Sequence, residues 1–341
     1  MRIVHGPADT AAATSPARRA LARGVALALA LVLATGVTVV GVAPPAHAAS
    51  TYVAPLPART YVLSSYYGPR CMPIAGASAW HLGQDMGAAS GTDVKAIAAG
   101  TVTRAGAVSG FGQWVVIEHT ISGKKVSSVY GHVIDGDRYV KVGSKVSQGQ
   151  HVADVGSSGT STSPHLHLEI WKGSYGNGAT VVDALAALKY YGVDLTTTST
   201  RNYSRTVPSS CTYYTTANVN LRTGPGTSYS SLRVVPVNGR MTAKPGASSG
   251  SWRKVTYGST TGWMSASYVS PNLTVLGTRW VRVSALHLRS KPSTSSTIVR
   301  TLSRGQAVGL LSATTSTGWV RVKVGSSTGY VAATYLSRVP Q

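Results

Sequence analysis

SPHLHLEIW, residues 163–171, places two histidines one residue apart inside an otherwise apolar run. In a β-strand, successive side chains alternate between faces. His165, His167 and Glu169 then point one way, and Leu166, Leu168 and Ile170 point the other. One face is suited to a core. The other is a row of imidazoles ending in a carboxylate, the way a metal or catalytic site is mounted on a sheet.

Residues 52–194 carry more short runs of this kind, among them GTVTRAG (100–106), QWVVIEH (113–119) and KVSSVYGHV (125–133). They are rich in Val, Ile, Thr and aromatics and are punctuated by glycines, which predicts a strand-rich domain. VVDALAALKYYG (181–192) is the one good helix here, with Asp183 as N-cap and Gly192 as its stop. LTTTSTRNYSRTVPSS (195–210) has no periodic apolar pattern and reads as a linker. Beyond it, VNLRTGP (219–225) recurs as LHLRSKP (286–292), an offset of 67 that also maps Trp252 onto Trp319, Gly262 onto Gly329 and Tyr268 onto Tyr335. Two units, 211–270 and 279–341 joined through 271–278, are therefore duplicates of short strands without a helix signal, and a small β-barrel is expected for each. The fold class expected for the whole is mainly β.

A catalytic zinc site takes three His or Asp/Glu ligands and keeps one open position. WHLGQDMG (80–87) supplies His81 and Asp85. Fully extended, their Cα atoms would lie roughly 13 Å apart. Gly83 between them lets the chain bend until both reach one ion. With His167 as the third ligand, the set is His, Asp, His. His165, one strand-face neighbour away, reaches bound water rather than the metal. Tyr130 and His132 are expected to share a face of another strand, with Tyr130 either lining the cleft or half-buried. Hydrolysis of a peptide bond needs a base for water, an acid for the leaving amine and positive charge for the oxyanion, and histidine can serve each role. His119 and His151 read as structural or surface histidines, and His287 stands where the other repeat has Asn220. Glu169 is either an acceptor for one of the histidines or a solvent-facing carboxylate.

HLGQD (81–85), YGHV (130–133) and GQHVADVGSSGTSTSPHLHLEI (149–170), in that order, resemble the lysostaphin-type zinc endopeptidases of bacterial cell walls. The resemblance covers roughly residues 60–194 and makes 49–194 the peptidase domain. It implies one zinc per chain on His81, Asp85 and His167, with His132 and His165 as catalytic histidines. It also implies cleavage of a peptide bond in the stem or cross-bridge of peptidoglycan. Some members are inactive activators that have lost metal ligands; none is missing here. The glycine-bridge cutters often carry a tyrosine before the first ligand, whereas Trp80 is the only aromatic between Tyr67 and His81. The repeats, through NLRTGPG (220–226), their mid-domain Trp and the closing GWMSASYVS (262–270), resemble bacterial SH3-like domains, which hold hydrolases on walls. The competing expectations are a non-enzymatic wall-binding protein or hydrolase activator that keeps the fold, and a zinc amidase or carboxypeptidase, whose ligands are spaced differently.

The chain of 341 residues opens with arginines, an apolar run and Ala46-His47-Ala48, which predicts a signal peptide over 1–48 with cleavage after Ala48. A retained anchor is the alternative, because the run nearly reaches spanning length. Export makes the mature chain secreted, cell-wall associated and without a stable membrane anchor, and monomer is the default. The net charge of +22 on the full 341 residues is unevenly placed: residues 195–341 hold 17 Lys and Arg and no Asp or Glu. That points to peptidoglycan and anionic wall polymers as partners, rather than nucleic acid. Cys71 and Cys211 either pair, tying the first domain to the basic half, or stay as two thiols. Deleting 195–341 is expected to weaken wall binding, with a strong salt dependence, while sparing the active site.

Overall fold

The computed structural model describes residues 51–315 and 317–341. The signal-peptide reading for 1–48 lies outside them. No helix among the described residues is long and apolar enough to cross a membrane.

The N-terminal half is built on one nine-stranded sheet. Its spatial order is Arg201–Asn202, Tyr61–Leu63, Gln84–Ala88, His165–Lys172, Lys124–Gly131, Gly112–Ile121, Gly100–Val108 and Lys145–Val146, with Thr180–Val182 also paired to His165–Lys172. The pairings are antiparallel except that of Arg201–Asn202, which runs parallel to Tyr61–Leu63. The expected alternation holds on the HLHLEI strand. Leu166, Leu168 and Ile170 are buried in a core with Leu63, Met86, Val115, Ile117 and Tyr130, closed by Leu185 and Leu188 of the helix Ala184–Tyr190. Asp183 caps that helix, its carboxylate accepting from the amides of Leu185 and Ala186.

Register carries one row of residues across four strands on the opposite face. Asp85 pairs with His167, His167 with Gly131, and Gly131 with Trp114. Tyr130 does not share a face with His132. It pairs with Leu168, is wholly buried, and its hydroxyl accepts from the amide of Ile97. His132 follows the strand's end in a left-handed backbone conformation (φ 62°), and this turns its ring to the other side. Alternation read from sequence fails where the strand stops.

His119 is buried as packing, its Nδ1 3.0 Å from the Ala99 carbonyl and its Nε2 2.7 Å from Ser128 Oγ. Burial lowers its pKa, outweighing the backbone bonds that favour the charged ring. A histidine depressed in the fold stabilises it fully above its unfolded pKa, and that contribution is lost as pH falls towards the folded value. Between about pH 7 and pH 5 the metal-free protein is therefore expected to lose more Tm than its His119→Gln variant.

The two repeats have the same strand order. In the first it is Ser231–Val235, Val219–Arg222, Thr260–Ser265, Trp252–Tyr257, Arg240–Ala243, Cys211–Thr215, Val269–Ser270; in the second Ile298–Ser303, Ala285–Arg289, Ser327–Ala332, Trp319–Val324, Ala307–Leu310, Thr278–Val281, Leu336–Ser337. Between them, the buried Asn238 donates to the carbonyls of Thr274 (2.8 Å) and Leu311 (2.9 Å) and accepts from the Thr274 amide (2.7 Å). One side chain thus joins the first repeat, the 271–278 segment and the second repeat.

Two expectations need correction. Residues 195–202 are not linker. Leu195–Thr198 form a short helix capped by Asp194, Leu195 is fully buried in the core of the N-terminal half, and Arg201–Asn202 extend the sheet. Nor is the first repeat separable from the N-terminal half. Cys71 and Cys211 form a disulfide, and Met72 and Ala79 belong to the repeat's hydrophobic core. Deletion of 195–341 removes the buried Leu195 and the edge strand Arg201–Asn202 and uncovers that segment, so it does not spare the surroundings of the site.

Candidate metal centre and cleft

His81 ends a two-residue strand, Trp80–His81, and Asp85 lies in the next, Gln84–Ala88. Gly83 between them answers to a different need from the bend expected of it. A Cβ there would lie 2.6 Å from the Leu168 carbonyl oxygen and 2.7 Å from the His167 ring, so only glycine lets the 82–84 turn lie against that ligand. Gly131 does the same for Phe111, whose ring carbon would stand 2.6 Å from an added Cβ. Phe111 uses the space to stack on Trp114 (5.4 Å) and to lean on His167 (5.4 Å).

His81 Nε2, Asp85 Oδ1 and His167 Nδ1 converge. The separations are 3.0 Å between the two nitrogens, 3.1 Å from His81 to Asp85 and 2.8 Å from His167 to Asp85. All three residues are buried. The outer nitrogens fix the tautomers: His81 Nδ1 donates to the Tyr66 carbonyl (3.0 Å) and His167 Nε2 to Glu169 Oε1 (3.0 Å). Two bare imidazole nitrogens and a carboxylate oxygen therefore face one point, an arrangement that only a cation relieves. Zinc, with bonds of about 2.0–2.1 Å in tetrahedral geometry, spaces its donors roughly 3.3 Å apart, and the donor set fits. The same preference for positive charge shows in His167. Burial would lower its pKa, but the bonds to Asp85 and Glu169 win and raise it to about 9. Burial likewise would raise the Asp85 carboxyl, yet His167 and His81 hold it well below the ordinary carboxylate range.

His132 and His165 stand beside this trio, their rings 4.8 Å apart. Each turns Nδ1 outward to a backbone carbonyl, His132 to Ser158 (2.7 Å) and His165 to Ser163 (2.7 Å), and leaves Nε2 facing the cleft. His165 Nε2 lies 3.6 Å from Asp85 Oδ1. Burial, then the neighbouring His165, lowers the His132 pKa to about 4, so its ring is neutral at ordinary pH. The five residues singled out by sequence thus meet at one pocket of about 270 Å³.

Sequence reasoning missed other contributors. Arg70 sits 3.5 Å from Asp85 Oδ2 and donates to Ser65 Oγ (2.8 Å), which in turn lies 3.2 Å from His81 Nδ1. No local spacing marks Arg70 or Ser65, which reach the site through a turn. Glu169 is buried and accepts from both His167 and Trp171 Nε1 (2.7 Å), so of its two readings the acceptor is the one found. Glu169→Gln would set an amide N–H against one of those donors and remove the charge behind His167. Zinc affinity is expected to fall about 10–100-fold, read by competition with a chromogenic chelator. His151 pairs with Asp154 (2.9 Å) under the Tyr139 ring, away from the cleft. His287 is exposed, 3.2 Å from Thr301 Oγ1.

Residues 79–182 match the model of Peptidase family M23, and residues 217–270 and 284–337 each match that of the Bacterial SH3 domain. Murein hydrolase activator EnvC of Escherichia coli (strain K12) is 47% identical over 88 residues, 26% of this chain and 20% of its own length. DD-carboxypeptidase/endopeptidase Mpg of Neisseria meningitidis serogroup B (strain ATCC 13091 / M2091) is 36% identical over 107 residues, 31% of this chain and 24% of its own. The chain thus spans a quarter or less of these curated relatives. Among solved structures, the catalytic domain of the antimicrobial peptidase lysostaphin from Staphylococcus simulans is 35% identical, with 38% of this chain and 92% of that one covered and a TM-score of 0.33. The chain carries a domain of peptidase family M23, followed by two bacterial SH3 domains.

Proposed function

We propose that this chain is a secreted, zinc-dependent endopeptidase that hydrolyses peptide bonds in the stem or cross-bridge of bacterial peptidoglycan. The observation that carries the reading is the convergence of His81, Asp85 and His167 with two further histidines whose Nε2 atoms face the same pocket. His81, Asp85 and His167 would hold a zinc ion, which would supply Lewis acidity and an activated water at neutral pH. The chain's own residues handle the protons. His132, neutral through its depressed pKa, takes a proton at Nε2 while its Nδ1–H stays on the Ser158 carbonyl. Once charged it is a strong acid in a buried place, suited to passing that proton to the leaving amine. His165 presents a second Nε2 across from it, and Phe111 lines the same pocket.

The repeats support attachment to a wall. Each has a groove at the same place, lined in the first by Asn220, Arg222, Trp252 and Tyr268 and in the second by His287, Arg289, Trp319 and Tyr335. Indole, phenol and guanidinium suit peptides that bear carboxylates. With no acidic residue beyond Asp194, retention on purified walls is expected to drop steeply as salt rises from about 0.05 to 0.5 M, measured by co-sedimentation. Salt-insensitive retention would shift recognition from charge to the aromatic grooves.

The likeness to an activator favours a second reading, in which the fold binds metal and wall without cutting. Mass spectrometry of fragments released from purified peptidoglycan, with chelated and zinc-restored protein, separates the two. A zinc-dependent new amino terminus establishes the peptidase and names its bond. Firm wall binding and bound zinc with no fragment from several wall types leave the activator.

A further inference from the structure

The segment from Arg70 to Trp80 faces two ways. On one side Arg70, Pro73, Ala77, Ser78 and Trp80 line the pocket beside His81. On the other, Met72 (2% exposed) and Ala79 (3%) lie in the core of the first SH3 repeat with Tyr213, Leu221, Met241 and Val255. Polar contacts follow the same seam. The Met72 amide donates to Tyr213 Oη (2.8 Å), the Gly246 amide to the Arg70 carbonyl (3.3 Å), and the buried Arg253 reaches Met72 Sδ (3.3 Å) and the Ala77 carbonyl (3.5 Å). The Cys71–Cys211 disulfide closes it covalently.

The segment closes on itself at its base, where Gly68 pairs with His81, Pro69 with Trp80, and the Arg70 amide bonds to the Ala79 carbonyl (2.8 Å), and the N-terminal half holds its start through the Arg70 side chain, which reaches Ser65 Oγ (2.8 Å) and Asp85 Oδ2 (3.5 Å). Its middle has the single internal backbone bond from Ala77 to the Ile74 carbonyl (3.3 Å). A loop with so little of its own to order it would sample many conformations if Met72 were left in water.

We infer that the first SH3 repeat is a structural part of the substrate cleft: it shapes the 70–80 wall and so positions Arg70 and Trp80 beside the ligands. The repeat is more than a wall anchor, and its core residue Met72 is a positioning residue for catalysis. The catalytic consequence rests on the peptidase reading above; the structural one does not.

The test uses the full mature chain with Met72→Ala and, separately, Cys71→Ser/Cys211→Ser. Hydrogen exchange is followed with and without zinc, alongside kcat and KM for a soluble peptide too short to reach the repeats. In both variants, amides of 70–80 are expected to exchange about tenfold faster or more, while 165–172 keep wild-type protection. With zinc stoichiometry unchanged, kcat/KM on the short peptide is expected to fall about tenfold, mostly in kcat if Arg70 has moved and mostly in KM if Trp80 has. If Met72→Ala unfolds the repeat, loss of protection at 70–80 together with 252–265 supports the inference, and protection surviving at 70–80 overturns it. Wild-type exchange at 70–80 in both variants also overturns it, as does unchanged short-peptide turnover once the segment is loosened. A wild-type protein that cuts no peptide defeats the peptidase reading instead, and the exchange arm still decides whether the repeat holds the wall.

Discussion

His167→Ala is expected to bring release of peptidoglycan fragments down to the level of the chelated protein, and to leave the purified variant without stoichiometric zinc. Both effects come from one ring. His167 supplies a donor nitrogen 2.8 Å from Asp85 Oδ1 and 3.0 Å from His81 Nε2, and it shields Glu169 from an otherwise unpaired burial. Removing it deletes a third of the ligand set and strands a 2% exposed carboxylate that keeps only Trp171 as partner. A buried charge that loses its partner costs several kcal/mol, roughly 3–5, so Tm should fall as well. Full lytic activity in this variant would end the metal-peptidase reading. To separate misfolding from loss of metal, wall co-sedimentation serves as the control, since the grooves on the repeats share no lining residue with the pocket that holds His167.

The second large effect has the opposite signature. His132→Ala should keep zinc at full stoichiometry and lose about 10²- to 10⁴-fold in turnover, the usual worth of a positioned proton carrier. His132 contributes no donor to the three-ligand cluster, and its place in the pocket is fixed by its own backbone and by the Ser158 carbonyl. The variant does not relieve the left-handed non-glycine backbone, because alanine tolerates that conformation no better than histidine. His132→Asn, a residue more at ease there, is the better folded control. Elemental analysis together with single-turnover kinetics checks the prediction. Loss of zinc in either variant would make His132 a ligand rather than a proton carrier.

Much of the site was legible in the sequence because it rests on period-two alternation and short spacings. HLHLEI puts its two histidines and its glutamate on one face by strand geometry alone, and the register does the rest by setting Asp85 beside His167. What escaped was whatever depends on the chain leaving a strand. His132 could not be oriented by alternation, since the strand ends at Gly131 and the next residue turns left-handed. Tyr130 follows the alternation into the core opposite Leu168, and the shared face expected for the two was lost because His132 alone turned. The run 195–202 looked like linker because Thr and Ser dominate it, yet one buried leucine and two sheet residues suffice to bind it down. Met72 and Ala79 carry no periodic signal at all. Their role is set by contact with a partner that begins more than a hundred residues later.

The Asn238 clasp gives the two grooves a further property. Two binding sites on a floppy tether tolerate many spacings in the target, and their joint strength depends on how often the tether happens to fit. Here three hydrogen bonds from one buried amide hold the joint between the repeats. On the proposed wall-binding reading, the pair acts as a ruler. Matrices whose attachment points recur at its span gain the avidity of two contacts, and others are gripped by one repeat at a time. Selectivity among walls of different texture can thus arise from distance, without any change in the chemistry of either groove.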